Sequence, residues 1–362
     1  MIAPASRRAL PVWLGAGIVG GVIFGGTGMH PHELTQLVLH SPLAACVLGI
    51  TWMLLFVPVA RLLVRDDATR YLRTLPHPIW SPRALLIGAL IVLQLPWLIL
   101  WLDGEHLVGA AVVIALSPVI AALALIRTRP PRTTSRKFSG PITALLGIQL
   151  RALSRRAGDA LIRATGLALL AGGAAGLFVR NNDVTGAHAG VIATCVIAIV
   201  LVPGWAATLL PLAEAHRASA WLASSTGITE LQRRIALALA VLAVYTITTL
   251  LAALTTIVVL AATTAGALST ATLSASAETS GLSSALAIAA ITTTTSIGLA
   301  LCTTRGLLWA DHHAPDADRP VAARVVVGAI TASALAVILL GWLDATGVAA
   351  ILVIGLFAMG NA

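Results

Sequence analysis

Charge is scarce in this chain, and lysine is nearly absent. Only 10% of the 362 residues are charged and 4% are aromatic, and Lys137 is the single lysine among 23 basic residues. A soluble domain carries about 25% charged residues, so a soluble enzyme is excluded. Lys137 sits in Arg136-Lys137-Phe138-Ser139, which is not the lysine of a GxxxxGK[ST] phosphate loop, so the chain has no Walker A ATPase of its own. Cys46, Cys195 and Cys302 each lie in an apolar run without a partner at metal or redox spacing. Neither a disulfide framework nor a zinc site is indicated.

What is present is apolar. Hydrophobic residues make up 58% of the chain and the mean hydropathy is +0.95. This is the composition of a membrane protein, and the shortage of aromatics means that its helices pack through small and branched side chains. With about 20 apolar residues to a span, the sequence predicts an all-α polytopic protein with about ten transmembrane helices. They fall at 10–28, 42–64, 84–102, 107–126, 161–179, 188–212, 235–264, 284–304, 321–342 and 346–360. The pair Arg7-Arg8 resembles the start of a signal peptide, but the run that follows has no A-x-A site and reads as a retained first span.

Orientation follows from the basic residues of the short loops. With both termini cytoplasmic, every basic residue except Arg180 falls on the inner side, leaving Glu33, Asp103, Glu105, Asp183, Glu278 and Asp344 outside. The expected location is the cell membrane, inner or plasma. Anionic headgroups account for the interior arginine, so nucleic acid is not expected as a partner.

Two stretches resemble one another. Leu43-Ala-Ala-Cys-Val-Leu-Gly-Ile50 lies over Ile192-Ala-Thr-Cys-Val-Ile-Ala-Ile199, and further on Tyr71-Leu72 falls on Trp221-Leu222 and Arg83 on Arg233. Glycines recur at Gly17, Gly21 and Gly25 in the first span and at Gly172 and Gly176 in the fifth, as at close helix contacts. The expected organisation is a first transmembrane repeat at 1–126, a basic cytoplasmic loop at 127–160, a second repeat at 161–304 and a two-span hairpin at 305–362. Related spans enter the membrane in the same direction, so the repeat is parallel.

In each half an inner loop follows the second span. The first, from Arg65 to Arg83, has Asp66 and Asp67 early, Leu72 and Leu75 on one face and Pro76 as the stop; the second, from Glu214 to Arg234, reads as a short helix ended by Gly227. This layout resembles the coupling segment of permeases from ATP-binding-cassette exporters whose ATPase is a separate chain. The resemblance covers about 60 residues around each loop and rests on layout rather than on an invariant signature. It implies that Asp67, Arg70, Tyr71, Leu72 and Leu75, then Glu214, Arg217, Trp221 and Leu222, dock a cytoplasmic ATPase. That partner would bind ATP, with no cofactor in this chain. Such permeases commonly have six spans and dimerise; a chain with both segments would instead take two ATPase copies. The alternative is that these helices lie on lipid, with Tyr71, Trp80 and Trp221 at the headgroups.

No predicted span has an aspartate or glutamate near its centre, which speaks against proton-coupled transport and intramembrane catalysis. Hydroxyls stand there instead. Tyr245, Thr249, Thr256 and Thr263 form one stripe and Thr292, Ser296 and Thr303 another, lining a shared pathway or bonding within and between helices. Gln94 beside Pro96 marks a kink with a polar group near midmembrane. His30, His32, His40, His106 and His188 fall on the outer side, where a metal or haem is conceivable, but they are spread over three loops. The function expected from the sequence is a non-enzymatic exporter permease for an amphipathic or hydrophobic molecule; a secondary transporter and a membrane assembly factor are the alternatives. In intact cells, a membrane-impermeant thiol reagent should label Glu278→Cys and spare Lys137→Cys. Labelling of the second would overturn both the orientation and the repeat.

Overall fold

The computed structural model describes residues 30–65, 88–92, 94–125, 140–268 and 275–313, with single positions 17, 20, 353, 354 and 356. The described residues are helical apart from short turns and contain no strand. In a bilayer this is the expected outcome, because each backbone N–H and C=O must be satisfied inside its own segment. Five of the helices are long and apolar enough to cross a membrane, with spanning segments Ala44–Arg61, Gly158–Asn181, Gly186–Ser225, Glu230–Ala262 and Leu282–Trp309. The chain is thus an all-α membrane protein. The predicted spans at 10–28, 321–342 and 346–360 lie outside the described residues except for those single positions.

Two compact units divide the chain, Met1–Arg129 and Pro130–Ala362. In the first, α1 (Pro31–His40) leads through Ser41 into α2 (Pro42–Arg65), and α3 (Leu95–Asp103) turns at Gly104 into α4 (Leu107–Leu125). Helix α4 packs on both α2 and α3. The expected span at 84–102 is interrupted: residues 88–92 are helical, but Gln94 leaves helical geometry and caps α3. Pro96 supplies the cause, since it has no N–H and its ring crowds the carbonyl one turn back.

The second unit holds α5 (Pro141–Arg156), α6 (Gly158–Asn181), α7 (Gly186–Ala218), α8 (Ala220–Ser225), α9 (Glu230–Leu268) and α10 (Ala275–His313). The stretch 127–160, expected as a basic cytoplasmic loop, holds a four-turn helix, and α10 runs on through residues 305–313. Helices α6 and α10 each pack against both α7 and α9, which gives a four-helix bundle with α5 laid against α7 and α9.

Register within the bundle is set by small residues. A methyl group on Gly172 would run into the Ala252 carbonyl oxygen, and one on Gly176 would come within 3.0 Å of Val259. Helices α6 and α9 therefore touch backbone to backbone, and Thr256 Oγ1 donates to the Gly172 carbonyl at 3.1 Å across that contact. The glycine stripe of the fifth predicted span is a contact inside this unit. Gly173, one position along, faces open space. Gly172→Leu should accordingly lower the folded yield and the melting temperature in detergent, at an overpacking cost of about 1–3 kcal/mol or more, while Gly173→Leu leaves both unchanged. Equal yields of the two proteins would remove this contact from the account.

Candidate functional site

The bundle interior holds two layers of hydroxyls. On the α7–α10 side, Gly186 N donates to Ser284 Oγ at 2.9 Å and Thr194 Oγ1 meets Thr292 Oγ1 at 3.1 Å, so the two helices run parallel in one register. Thr256 bonds α9 to α6 in the same half of the bundle. Eleven residues further along α7, Trp205 Nε1 donates to Thr248 Oγ1 at 3.0 Å and its ring packs on Tyr245 at 4.4 Å between centroids. The Tyr245 hydroxyl meets Thr303 Oγ1 at 2.8 Å, so this second layer ties α7, α9 and α10.

Of the hydroxyls in the two stripes, Tyr245, Thr249, Thr256, Thr292, Ser296 and Thr303 are buried, and so is Gln94. Tyr245, Thr256 and Thr292 make the interhelical bonds just described, whereas Thr249 donates to the Tyr245 carbonyl and Ser296 to that of Thr293, each within its own helix. Gln94, in the first unit, donates through Nε2 to Ser117 Oγ at 2.6 Å, and its Oε1 has no hydrogen-bond partner among the described residues. Trp205, Thr248 and Thr194 were not singled out from the sequence. Their one signal was a tryptophan deep in an otherwise aliphatic span.

One end of the second unit, where α7 runs into α8, carries the described part of the expected coupling residues. Glu214 and Arg217 are half-buried in the last turn of α7, which runs on without a break to Ala218; they are not part of a separate helix. The break comes at Ser219, whose Oγ donates to the His216 carbonyl at 2.8 Å. Helix α8 follows, and it closes on the carbonyls of Leu222 and Ala223, which accept from Thr226 N and Ile228 N. Between them Gly227 takes φ +69°, a value that L side chains rarely adopt. Thr229 and Gln232 then cap α9 reciprocally, Thr229 N donating to Gln232 Oε1 and Gln232 N to Thr229 Oγ1.

Held between these two stops, α8 buries Ala223, half-buries Leu222 and leaves Trp221 70% exposed. Behind it, Glu230 accepts from Arg233 at 2.9 Å and lies 3.5 Å from Arg234. Helix α5 closes the other side: Leu145, Gln149 and Leu153 form its buried stripe, and Gln149 Nε2 donates to His216 Nδ1 at 3.3 Å. Asp67, Arg70, Tyr71, Leu72 and Leu75 lie outside the described residues.

In the first unit, His32 and His106 stack at 5.9 Å between centroids and His32 Nδ1 donates to the Gly104 carbonyl. His30 instead caps α1 with Glu33, and His40 donates to the Gln36 carbonyl. Among the described residues no group of three His, Cys, Asp or Glu is placed to hold a metal ion.

No protein-family model matches the chain, nor does any curated protein or solved structure. The interhelical hydroxyl pairs are measurable directly. Tyr245→Phe and Thr303→Val should each destabilise the protein by about 1–2 kcal/mol, because each leaves a buried partner unpaired. The double variant should recover about 0.6–1.7 kcal/mol in a mutant cycle. Strict additivity in thermal or chemical unfolding would show that the bond carries no weight.

Proposed function

We propose that this chain is the transmembrane permease of an ATP-driven exporter, coupled to a separate cytoplasmic ATPase and moving an amphipathic or hydrophobic molecule. The observation that carries the reading is α8. A large aromatic side chain at the inner end of a buried bundle stands almost wholly in the open, on a helix of fixed length between two backbone stops. Interface energy concentrates in such anchors, with tryptophan foremost. Because α7 continues unbroken into the turn that precedes α8, a force on Trp221 is delivered along the axis of a spanning helix.

The ten-span arrangement with cytoplasmic termini, and the parallel repeat of spans one to four in five to eight, belong to the same proposal. Equivalent pairings inside the two units support it. In the first, α2 packs on α4 and α4 on α3; in the second, the corresponding α7 packs on α10 and α10 on α9. Two docking segments per chain would call for two ATPase copies.

Coexpression with a P-loop ATPase from a neighbouring reading frame tests the proposal. Trp221→Ala with Leu222→Ala should cut ATPase copurification or substrate-stimulated hydrolysis at least tenfold while the melting temperature of the permease stays within a few degrees. Tyr71→Ala with Leu72→Ala should do the same at the other loop. Hydrolysis and copurification unaffected by both pairs would end the exporter reading in favour of helices resting on lipid.

A further inference from the structure

Helix α5 presents a second surface at the inner end of the bundle. Its buried stripe faces α7 and α9, and its other side exposes Ile148, Arg151 and Arg155 at spacings of three and four, one line along the helix. Its level in the bilayer follows from α7. Gln149 bonds to His216, and His216 lies thirty residues beyond Gly186, the first residue of α7. At 1.5 Å per residue this is about 45 Å, the thickness of a bilayer with both headgroup layers. With the start of α7 at one surface, α5 lies among the headgroups of the other.

Chemistry agrees with that depth. An exposed isoleucine one turn from Arg151 and two turns from Arg155 on the same line gives an apolar contact for an acyl chain beside guanidinium forks that match phosphate oxygens bidentately. Arginines outnumber carboxylates at this end of the unit: Arg151, Arg155, Arg163, Arg217, Arg233 and Arg234 stand with Asp159, Glu214 and Glu230, and Glu230 is engaged by Arg233. We infer that the Ile148, Arg151, Arg155 line of α5 is a seat for the phosphodiester headgroup of an anionic phospholipid. The inference needs α5 at a membrane surface and does not need an ATPase, so it stands or falls apart from the exporter reading.

The test uses the purified full chain reconstituted in phosphatidylcholine with a spin-labelled phosphatidylglycerol probe, reading the association of that lipid relative to labelled phosphatidylcholine. The wild type should select phosphatidylglycerol. At about fivefold per arginine near the surface, Arg151→Gln and Arg155→Gln should each cost roughly that factor, and the double variant at least tenfold, with unchanged melting temperature in phosphatidylcholine. Arg7→Gln with Arg8→Gln removes the same charge elsewhere and should keep the preference. Equal losses in the two double variants would reduce the effect to bulk charge and overturn the seat. So would full competition by free glycerol phosphate, which would make the site one for a soluble phosphoester.

Discussion

The contact of α6 with α9 at Gly172 is the constraint on which the second unit depends. Lipid tails are as apolar as leucine, so helices in a bilayer gain nothing from mere burial and associate through close packing and hydrogen bonds. Removing the side chain at Gly172 lets the backbone of α6 reach the Ala252 carbonyl, and only at that separation can Thr256 Oγ1 donate across to the Gly172 carbonyl. The same hydroxyl also donates within its own helix, to the Ala252 carbonyl at 3.0 Å. The interhelical bond therefore uses a group that would otherwise be satisfied locally, and its benefit is in fixing register as much as in energy.

With α6 and α9 fixed, the rest of the bundle follows. Trp205 brings α7 to α9, and the Tyr245 to Thr303 bond brings α10 to the same level. The pairs Gly186 with Ser284 and Thr194 with Thr292 share one offset, so α7 and α10 lie side by side in a single register over two turns and more. The extra length of α9 and α10 then has a geometric meaning. Each runs 39 residues, about 58 Å, and Ser284 already sits beside the start of α7, so the first turns of α10 extend past the α6 to α7 connection.

Much of this was legible in the sequence, and the exceptions have physical causes. Helical class and the position of the spans are carried by apolar run length, and the break at Gln94 by Pro96. The stop after α8 is carried by Gly227. What one sequence does not encode is register between helices: Thr194 and Thr292 are each one of many threonines in apolar surroundings, and their pairing is decided by how closely two backbones approach elsewhere. Helix α5 was missed for a different reason. Its buried stripe has Gln149 at its centre and its other face carries arginines, so its apolar residues never form a run of span length. The partner that makes Gln149 tolerable inside, His216, is 67 residues away.

The bonds inside the second unit bear on what can move. In the second unit α7 is held near its start by Ser284, then by Thr292, and deeper by Thr248 and Tyr245. To slide one turn along α10 it would have to break the first two bonds together and withdraw the Trp205 ring from the second layer. Packed interiors of this kind change between discrete arrangements and do not deform continuously. Buried polar atoms without a hydrogen-bond partner among the described residues occur in both units, Thr51 Oγ1, Trp52 Nε1 and Gln94 Oε1 in the first and Gln149 Oε1 and Thr295 Oγ1 in the second. A buried polar atom without a partner costs about 1–3 kcal/mol, so a rearrangement of either unit that pairs such atoms recovers free energy, whereas one that breaks the interhelical hydroxyl bonds of the second unit costs it.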